Sequence, residues 1–259
     1  FDGTEKTHNF IRQRTDSFAG AYNAIKMLAK IKGKPRVCPV TQVSNINLDE
    51  LYDIRQLLVD AGCKLWRIQM TTSTGRMREH KDLILTIENY PRFIDIILDM
   101  QKKGGLDIDV GENIGYYGCK GSQLREGGVY LGCFAGTFVA GIESNGNVKG
   151  CLSMPEEYVE GNIRDTSFTE IWNRPGAFAY NRQFTKDTAE GECHECKYLI
   201  MCRGGCANTS ISATGKRADN PYCIHRIEKK QGVMCQDSPE VREGLETVRK
   251  LIEAQNNHN

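Results

Sequence analysis

Nine of the eleven cysteines lie between positions 119 and 235, and seven of them keep a spaced order. They read Cys133-x12-Gly146-x4-Cys151, then Cys193-x2-Cys196-x5-Cys202-x3-Cys206, then Cys223. A thiol run this dense constrains the fold more than any periodicity does. Two sulfurs of a CxxC can reach one inorganic centre, and distant cysteines close the cage through tertiary folding. Seven or eight thiolates are about what two iron–sulfur clusters need, at roughly four each. Zinc is the rival reading, but its sites usually take four ligands from two similar knuckles. Here there is one CxxC, and the x5 and x3 intervals build no ribbon or finger. A purely structural set of thiols is the third reading. Within Cys202-Arg203-Gly204-Gly205-Cys206 the glycines permit a tight backbone path and let amide N–H groups approach cluster sulfurs.

The remaining composition excludes several classes. The chain has 259 residues, 39% hydrophobic and 26% charged, enough for one or two domains with real cores. Its 34 basic and 33 acidic residues are interspersed, which argues against a dedicated nucleic-acid or anionic-membrane surface. No apolar run approaches the roughly 20 residues that span a bilayer. The chain opens at Phe1 without a signal peptide, and Phe1-Asp2-Gly3 reads as the end of a strand, so a piece of a longer protein is expected. The odd cysteine total, without a small disulfide scaffold, fits reduced cytoplasmic ligands better than bridges.

Residues 1–118 alternate strand and helix patterns. Ala21, Ile25, Leu28 and Ala29 predict a helix over 17–31, ended by Gly33 and Pro35. Arg36 to Ser44 reads as a buried strand. Leu48, Leu51, Ile54, Leu58 and Ala61 form one helical face closed by Gly62, and Lys64 to Thr71 is another strand. A third helix starts near Thr86 or Asn89 and runs to Gly104-Gly105, followed by a strand from Leu106 to Val110. Such repeats imply an α/β fold with a parallel sheet, and three units suit the C-terminal half of a partial β/α barrel. Chemistry in such sheets collects at the carboxyl ends of the strands, here Phe1–Gly3, Ser44–Asn45, Gln69–Thr72 and Gly111–Asn113.

From Gly118 the rhythm breaks. Asn145-Gly146 predicts a hairpin between 137–143 and 147–151. Asp165 or Thr166 is expected to cap a short helix through Phe168, Ile171 and Trp172, and 193–223 to form loops around cofactors. Ser238 and Pro239 open an amphipathic tail helix with Val241, Leu245, Val248 and Ile252 on one face, docked on its own domain.

The cysteine order resembles the SPASM domain at the C-terminal end of radical S-adenosylmethionine (SAM) peptide- and protein-modifying enzymes. Phe1-Asp2-Gly3 with His8-Asn9-Phe10-Ile11-Arg12 is similar to the fourth-strand end of that family's barrel, and Gly161-Asn162-Ile163 with the Trp172 helix is similar to its inter-cysteine linker. The resemblance implies a barrel part over 1–118, a SPASM auxiliary-cluster domain over 119–235 and a terminal helix over 236–259. It implies Cys193, Cys196, Cys202 and Cys223 for auxiliary cluster II. Cys133, Cys151 and Cys206 would hold auxiliary cluster I, with Cys119 as the candidate fourth ligand. Both clusters are expected to be [4Fe–4S]. Cys235 is a substitute for Cys223 that the spacing disfavours, and Cys38 and Cys63 read as packing residues.

In the same family Gln69, Met70 and Thr71 match the adenine-contacting segment, and Asp2 and Arg12 are candidate SAM or substrate contacts. Strand-terminal polar groups and loop ties account for these residues equally. Glu112, Asn113, Tyr116 and Tyr117 are candidate cavity-lining residues, and His194 is exposed or outside the ligand set.

Two departures matter. The SAM-cleaving C-x3-C-x2-C motif, which brings a third [4Fe–4S] cluster, is absent from these residues, so this chain alone is expected to be inactive. Leu152 follows Cys151 where sulfatase-maturing members carry an Asp, which favours maturation of a ribosomally made peptide over formylglycine formation. The full-length protein is then expected to be an oxidoreductase abstracting hydrogen with a 5′-deoxyadenosyl radical. Its expected partners are a peptide or protein substrate and a flavodoxin- or ferredoxin-like electron donor, with no nucleic acid and no membrane. A non-catalytic iron–sulfur electron carrier and a sulfatase-maturing-type enzyme are the alternatives.

Overall fold

The strand–helix alternation of the first half reflects where its apolar residues fall. The computed structural model describes all residues except Lys32, Lys34, Pro35, Gly127 and 257–259. The expected Pro35 stop and the last three tail positions therefore lie outside the described residues. Two helices, α1 (Glu5–Arg12) and α2 (Ser17–Ala29), precede β1 (Val40–Val43), α3 (Leu51–Asp60), β2 (Leu65–Met70), α4 (Tyr90–Lys102) and β3 (Asp107–Val110). The three strands form a parallel sheet in the order β1-β2-β3. Leu51, Ile54 and Leu58 of α3 and Phe93, Ile97 and Met100 of α4 are fully buried on the faces directed at the sheet. Truncating any of these to Ala removes about 2–5 kcal/mol of packing.

Expectation and structure differ at three places here. The strand expected over 36–44 pairs only over Val40–Val43, and α2 stops at Ala29 with Leu28 exposed. Phe1 and Asp2 lie beside β1 but outside its ladder: the Phe1 amine donates to the Val40 carbonyl (2.6 Å), and the Gln42 amide donates to Asp2 Oδ1 (2.9 Å). Buried polar groups in this layer are paired, as the cost of leaving them unmade requires. Trp66 Nε1 donates to Thr41 Oγ1 (2.8 Å), which donates in turn to the Phe1 carbonyl (2.6 Å).

The second half is built of short pieces. After α5 (Gly118–Leu124) come β4 (Gly141–Ile142), β5 (Asn147–Lys149) and β6 (Gly161–Asn162), paired antiparallel in that order. The turn between β4 and β5 is Ser144-Asn145-Gly146, and β6 is a third strand that alternation did not reveal. Next are α6 (Phe168–Asn173), α7 (Ala179–Arg182), α8 (Leu199–Cys202), α9 (Ala207–Thr214), α10 (Ile224–Lys230) and α11 (Pro239–Asn256). The cap of α6 is Ser167 rather than Asp165 or Thr166. Ser167 and Glu170 form a reciprocal capping box, satisfying two end donors that neither expected residue reaches. The 193–223 stretch, expected as loops, holds α8 and α9. On α11, Val241 and Leu245 are buried beside Met201 of α8, whereas Ile252 is exposed. An aromatic core of Tyr116, Tyr117, Tyr130 and Tyr198 lies under Cys196, Cys202, Cys206 and Cys223. No helix among the described residues is long and apolar enough to cross a membrane.

Candidate metal centre

Seven cysteines gather into two groups. The first is a quartet. Cys202, the last residue of α8, is half-buried, and its thiol is pushed up by burial, then by Cys223, Cys196 and Cys193. Burial pushes the Cys223 thiol up to about 12, with Cys196 and Cys193 adding to it. Cys223 precedes α10 and Cys193 ends a 3-10 turn, so helix ends deliver three of the four sulfurs. A neighbouring backbone amide lowers each thiol against that burial: Asn220 for Cys193, Tyr198 for Cys196, Gly205 for Cys202, and Arg226 with His225 for Cys223. Such donors stabilise thiolates and tune a bound metal group. A cavity of about 560 Å³ opens beside the quartet, lined by Cys193, Cys196 and Cys223 with Lys197, Arg226 and Lys229.

The second group is a trio. Cys206 caps α9, and its thiol is raised by burial, then by Cys133 and Cys151, while Thr209 lowers it. Its backbone N–H donates to the Tyr116 hydroxyl (3.1 Å), which also accepts from Asn220 Nδ2 (3.0 Å). Cys151 follows β5 through Gly150, where any Cβ would collide with the Tyr180 hydroxyl and approach the Gly136 nitrogen to 2.8 Å. The Cys133 carbonyl accepts from Asn181 Nδ2 (2.7 Å), which also donates to Ala135 (2.7 Å). Quartet and trio are joined through Cys202-Arg203-Gly204-Gly205-Cys206. Both glycines sit at positive φ, +74° and +73°, which L side chains rarely adopt. Tyr130 lies between the groups: burial raises its phenol first, then Cys202, Cys206 and Cys133.

The two groups differ in what is left over. Tyr180 Oη, Thr209 Oγ1, Asn208 Oδ1 and Arg217 Nε and Nη1 are buried polar atoms with no hydrogen-bond partner. Tyr180 lies beside Cys133, Cys151, Glu160 and Arg217, and Thr209 beside Cys206, so two of these five atoms adjoin the trio. Buried donors seldom stay unpaired without a reason. Hydroxyl groups beside three thiols fit an anionic, sulfur-rich metal group, and four half-buried neighbouring thiols fit a second one.

Cys119 and Cys235 join neither group. They form a disulfide with Cα atoms 5.2 Å apart, beside the buried Glu228 carboxylate. This corrects two expectations. Cys119 is not beside Cys133 as a fourth ligand, because α5 packs on α10 and turns it toward the chain's later cysteine. Nor are all eleven cysteines reduced thiols. Glu228 anchors the pair by accepting from the Cys119 and Lys120 amides (3.0 Å each) at the start of α5.

The other candidates are dispersed. Asp2 is buried and pairs with Arg12, with Gln42 as a further partner, so both serve as a tie in the structure. Gln69 accepts from Gln42 Nε2 (2.6 Å), and Thr71 is buried with its amide on the Val43 carbonyl (2.9 Å). Asn113 continues the ladder by donating to Met70 (2.7 Å). Tyr117 donates to the Tyr130 carbonyl (2.5 Å) and stacks on Tyr198 at 4.5 Å. His194 is partly exposed and bonds Glu195. One contact ties the sheet's carboxyl edge to the trio: Asn208 Nδ2 of α9 donates to Thr72 Oγ1 (3.3 Å). Sequence reasoning missed Asn181, Tyr180, Arg203 and Arg217, which carry no motif and gain meaning only from what they face.

Comparison with known proteins finds relatives of the same stretch. Residues 133–197 match the SPASM family, an iron–sulfur cluster-binding domain. The chain is 28% identical over 207 residues to the AdoMet-dependent heme synthase of Oleidesulfovibrio alaskensis, covering 73% of this chain and 51% of that protein. It is 27% identical over 182 residues to the mycofactocin maturase MftC of Mycolicibacterium smegmatis, covering 69% and 44%. Its fold resembles SuiB of Streptococcus suis, solved bound to S-adenosylmethionine, with TM-score 0.51, 16% identity, and 81% and 47% coverage. The chain thus spans about half the length of each of these proteins. In cysteine order, matched domain and fold, the chain is similar to radical SAM/SPASM domain proteins.

Proposed function

We propose that this chain is the C-terminal portion of a radical SAM/SPASM enzyme that matures a ribosomally made peptide or protein. In this reading 1–118 is the C-terminal part of a partial β/α barrel, 119–235 the auxiliary-cluster domain and 236–259 a docked helix. Cys193, Cys196, Cys202 and Cys223 hold one [4Fe–4S] cluster, and Cys133, Cys151 and Cys206 hold another. These groups supply one-electron redox chemistry when bound. The chain's own residues link the trio to the sheet edge through Asn208 and Thr72 and set a backbone amide beside each quartet sulfur. Gln69 and Thr71 are assigned to SAM contact in the full-length protein. Asp2 and Arg12 are assigned to shaping that same edge. The electron donor assigned to the full-length protein is flavodoxin- or ferredoxin-like.

The observation that carries the reading is the sorting of seven spaced cysteines into a quartet and a trio. Anaerobic reconstitution tests it. About eight irons per chain, with absorption near ~400 nm, are expected for two four-iron groups. One zinc with negligible iron overturns it.

A second reading is a heme-forming activity, favoured by the relative named AdoMet-dependent heme synthase at 28% identity. Titrating a porphyrin into the iron-loaded chain separates the two. A saturable shift of the porphyrin absorption band supports the second reading, and an unshifted band supports peptide maturation.

A further inference from the structure

We infer that Arg217, with Tyr180, forms a hydrogen-bonding wall on the Cys133–Cys151–Cys206 trio and sets the reduction potential of the group held there. This rests on the cluster reading above. Nη2 of Arg217 donates to Asn181 Oδ1 (2.9 Å), leaving Nε and Nη1 buried without partners. Asn181 itself grips the Cys133 and Ala135 carbonyls, so one residue orients both the guanidinium and the first cysteine segment. The Phe184 ring covers the guanidinium, with its carbon 4.8 Å from the ring centre, and Arg203 stacks on the same ring at 5.4 Å. Arg203 donates to the Asn181 carbonyl, and neither arginine has a carboxylate partner among the described residues. Two neighbouring guanidiniums without a counter-anion repel each other, and only an anion on the trio side relieves that. Tyr180 presents its unpartnered hydroxyl to Cys133 and Cys151 from another direction.

A backbone amide adjoins every quartet sulfur and, through Thr209, Cys206, but Cys133 and Cys151 lie beside the Tyr180 hydroxyl, a side-chain group that substitution can remove. A positive N–H donor stabilises the reduced state, which holds one more electron than the oxidised one, and so raises the potential.

The test is an anaerobic redox titration of the iron-loaded chain with dithionite, read by electron paramagnetic resonance, with the quartet as internal reference. Arg217→Met is expected to lower the reduced-to-oxidised ratio of the trio group at least tenfold at the wild-type midpoint, a shift of about 59 mV for a one-electron couple. The quartet midpoint stays in place, and Arg217→Lys recovers most of the shift. Tyr180→Phe, which deletes only a hydroxyl, moves the trio midpoint the same way by less and decides the matter if Arg217→Met does not fold. Trio midpoints at the wild-type value in the folded variants overturn the inference. If Cys133→Ala holds as much iron as wild type, the trio binds no cluster and the underlying reading fails first.

Discussion

The quartet and the trio use the same ligand atom but are assembled in opposite ways. The quartet draws its sulfurs from 193 to 223, a stretch folded on itself by two helix ends and a 3-10 turn, and the backbone supplies its donors. The trio draws on β5, the start of α9 and the segment before β4, and tertiary neighbours hold it: Tyr116 accepts from the Cys206 amide, Asn181 donates to the Cys133 carbonyl, and Tyr180 lies beside Cys133 and Cys151. Local sites are robust to side-chain change because amides cannot be mutated away. Composite sites can be tuned one side chain at a time, and they fail one side chain at a time.

The sharpest way to break this comparison is to remove one sulfur from each group. Cys223→Ala should cost about half the bound iron and leave the trio's signal, while Cys133→Ala should do the reverse. Equal losses at both sites in either variant would mean the groups are one site.

The next effect concerns the frame around both. The Cys119–Cys235 bond closes a loop with a separation of 116 residues that encloses both groups. Chain-entropy arguments give such a staple about 4–5 kcal/mol. Cys235→Ser should lower the denaturation midpoint accordingly without changing iron content. Lost iron would make the pair a ligand source instead.

Tyr116→Phe should act more on the trio than on the quartet. It leaves the Cys206 amide and the Asn220 side chain without their shared acceptor, which costs about 1–3 kcal/mol per buried group. Trio iron weakened more than quartet iron is the expected readout by iron analysis and thermal melts.

The smallest effect at working pH is on the unloaded chain. Burial raises the Cys223 thiol to about 12, and Cys202 moves in the same direction. A raised folded-state pKa means this stability is fully present below the ordinary thiol range, about 8.5, and is lost as pH rises toward 12. Melts of the unloaded chain should therefore fall over that window more steeply than those of the iron-loaded chain or of unloaded Cys223→Ser. Parallel slopes would show that the thiols are not held neutral.

Much of the first half was legible because its apolar spacing is regular. Leu51, Ile54 and Leu58 announced α3, and KLWRIQMT announced β2. The second half was legible only through its cysteines. Helices α8 and α9 span four and eight residues, too short for a periodic signal, and their stability comes from packing on the tyrosine core. The Ser167 cap was missed although Ser167-x-x-Glu170 stood in the sequence, because two neighbouring polar residues offered the same role.

From the chain alone came the kind of centre: thiol number and spacing are covalent facts, and they bound the metal chemistry whatever the fold. Which thiols share a site, and which two pair away from it, was decided only in three dimensions. Cys119 and Cys235 meet because α5 packs on α10, and Arg217 meets Asn181, which grips the Cys133 carbonyl. Long-range contacts of that sort depend on the packing of whole elements, and no local pattern records them.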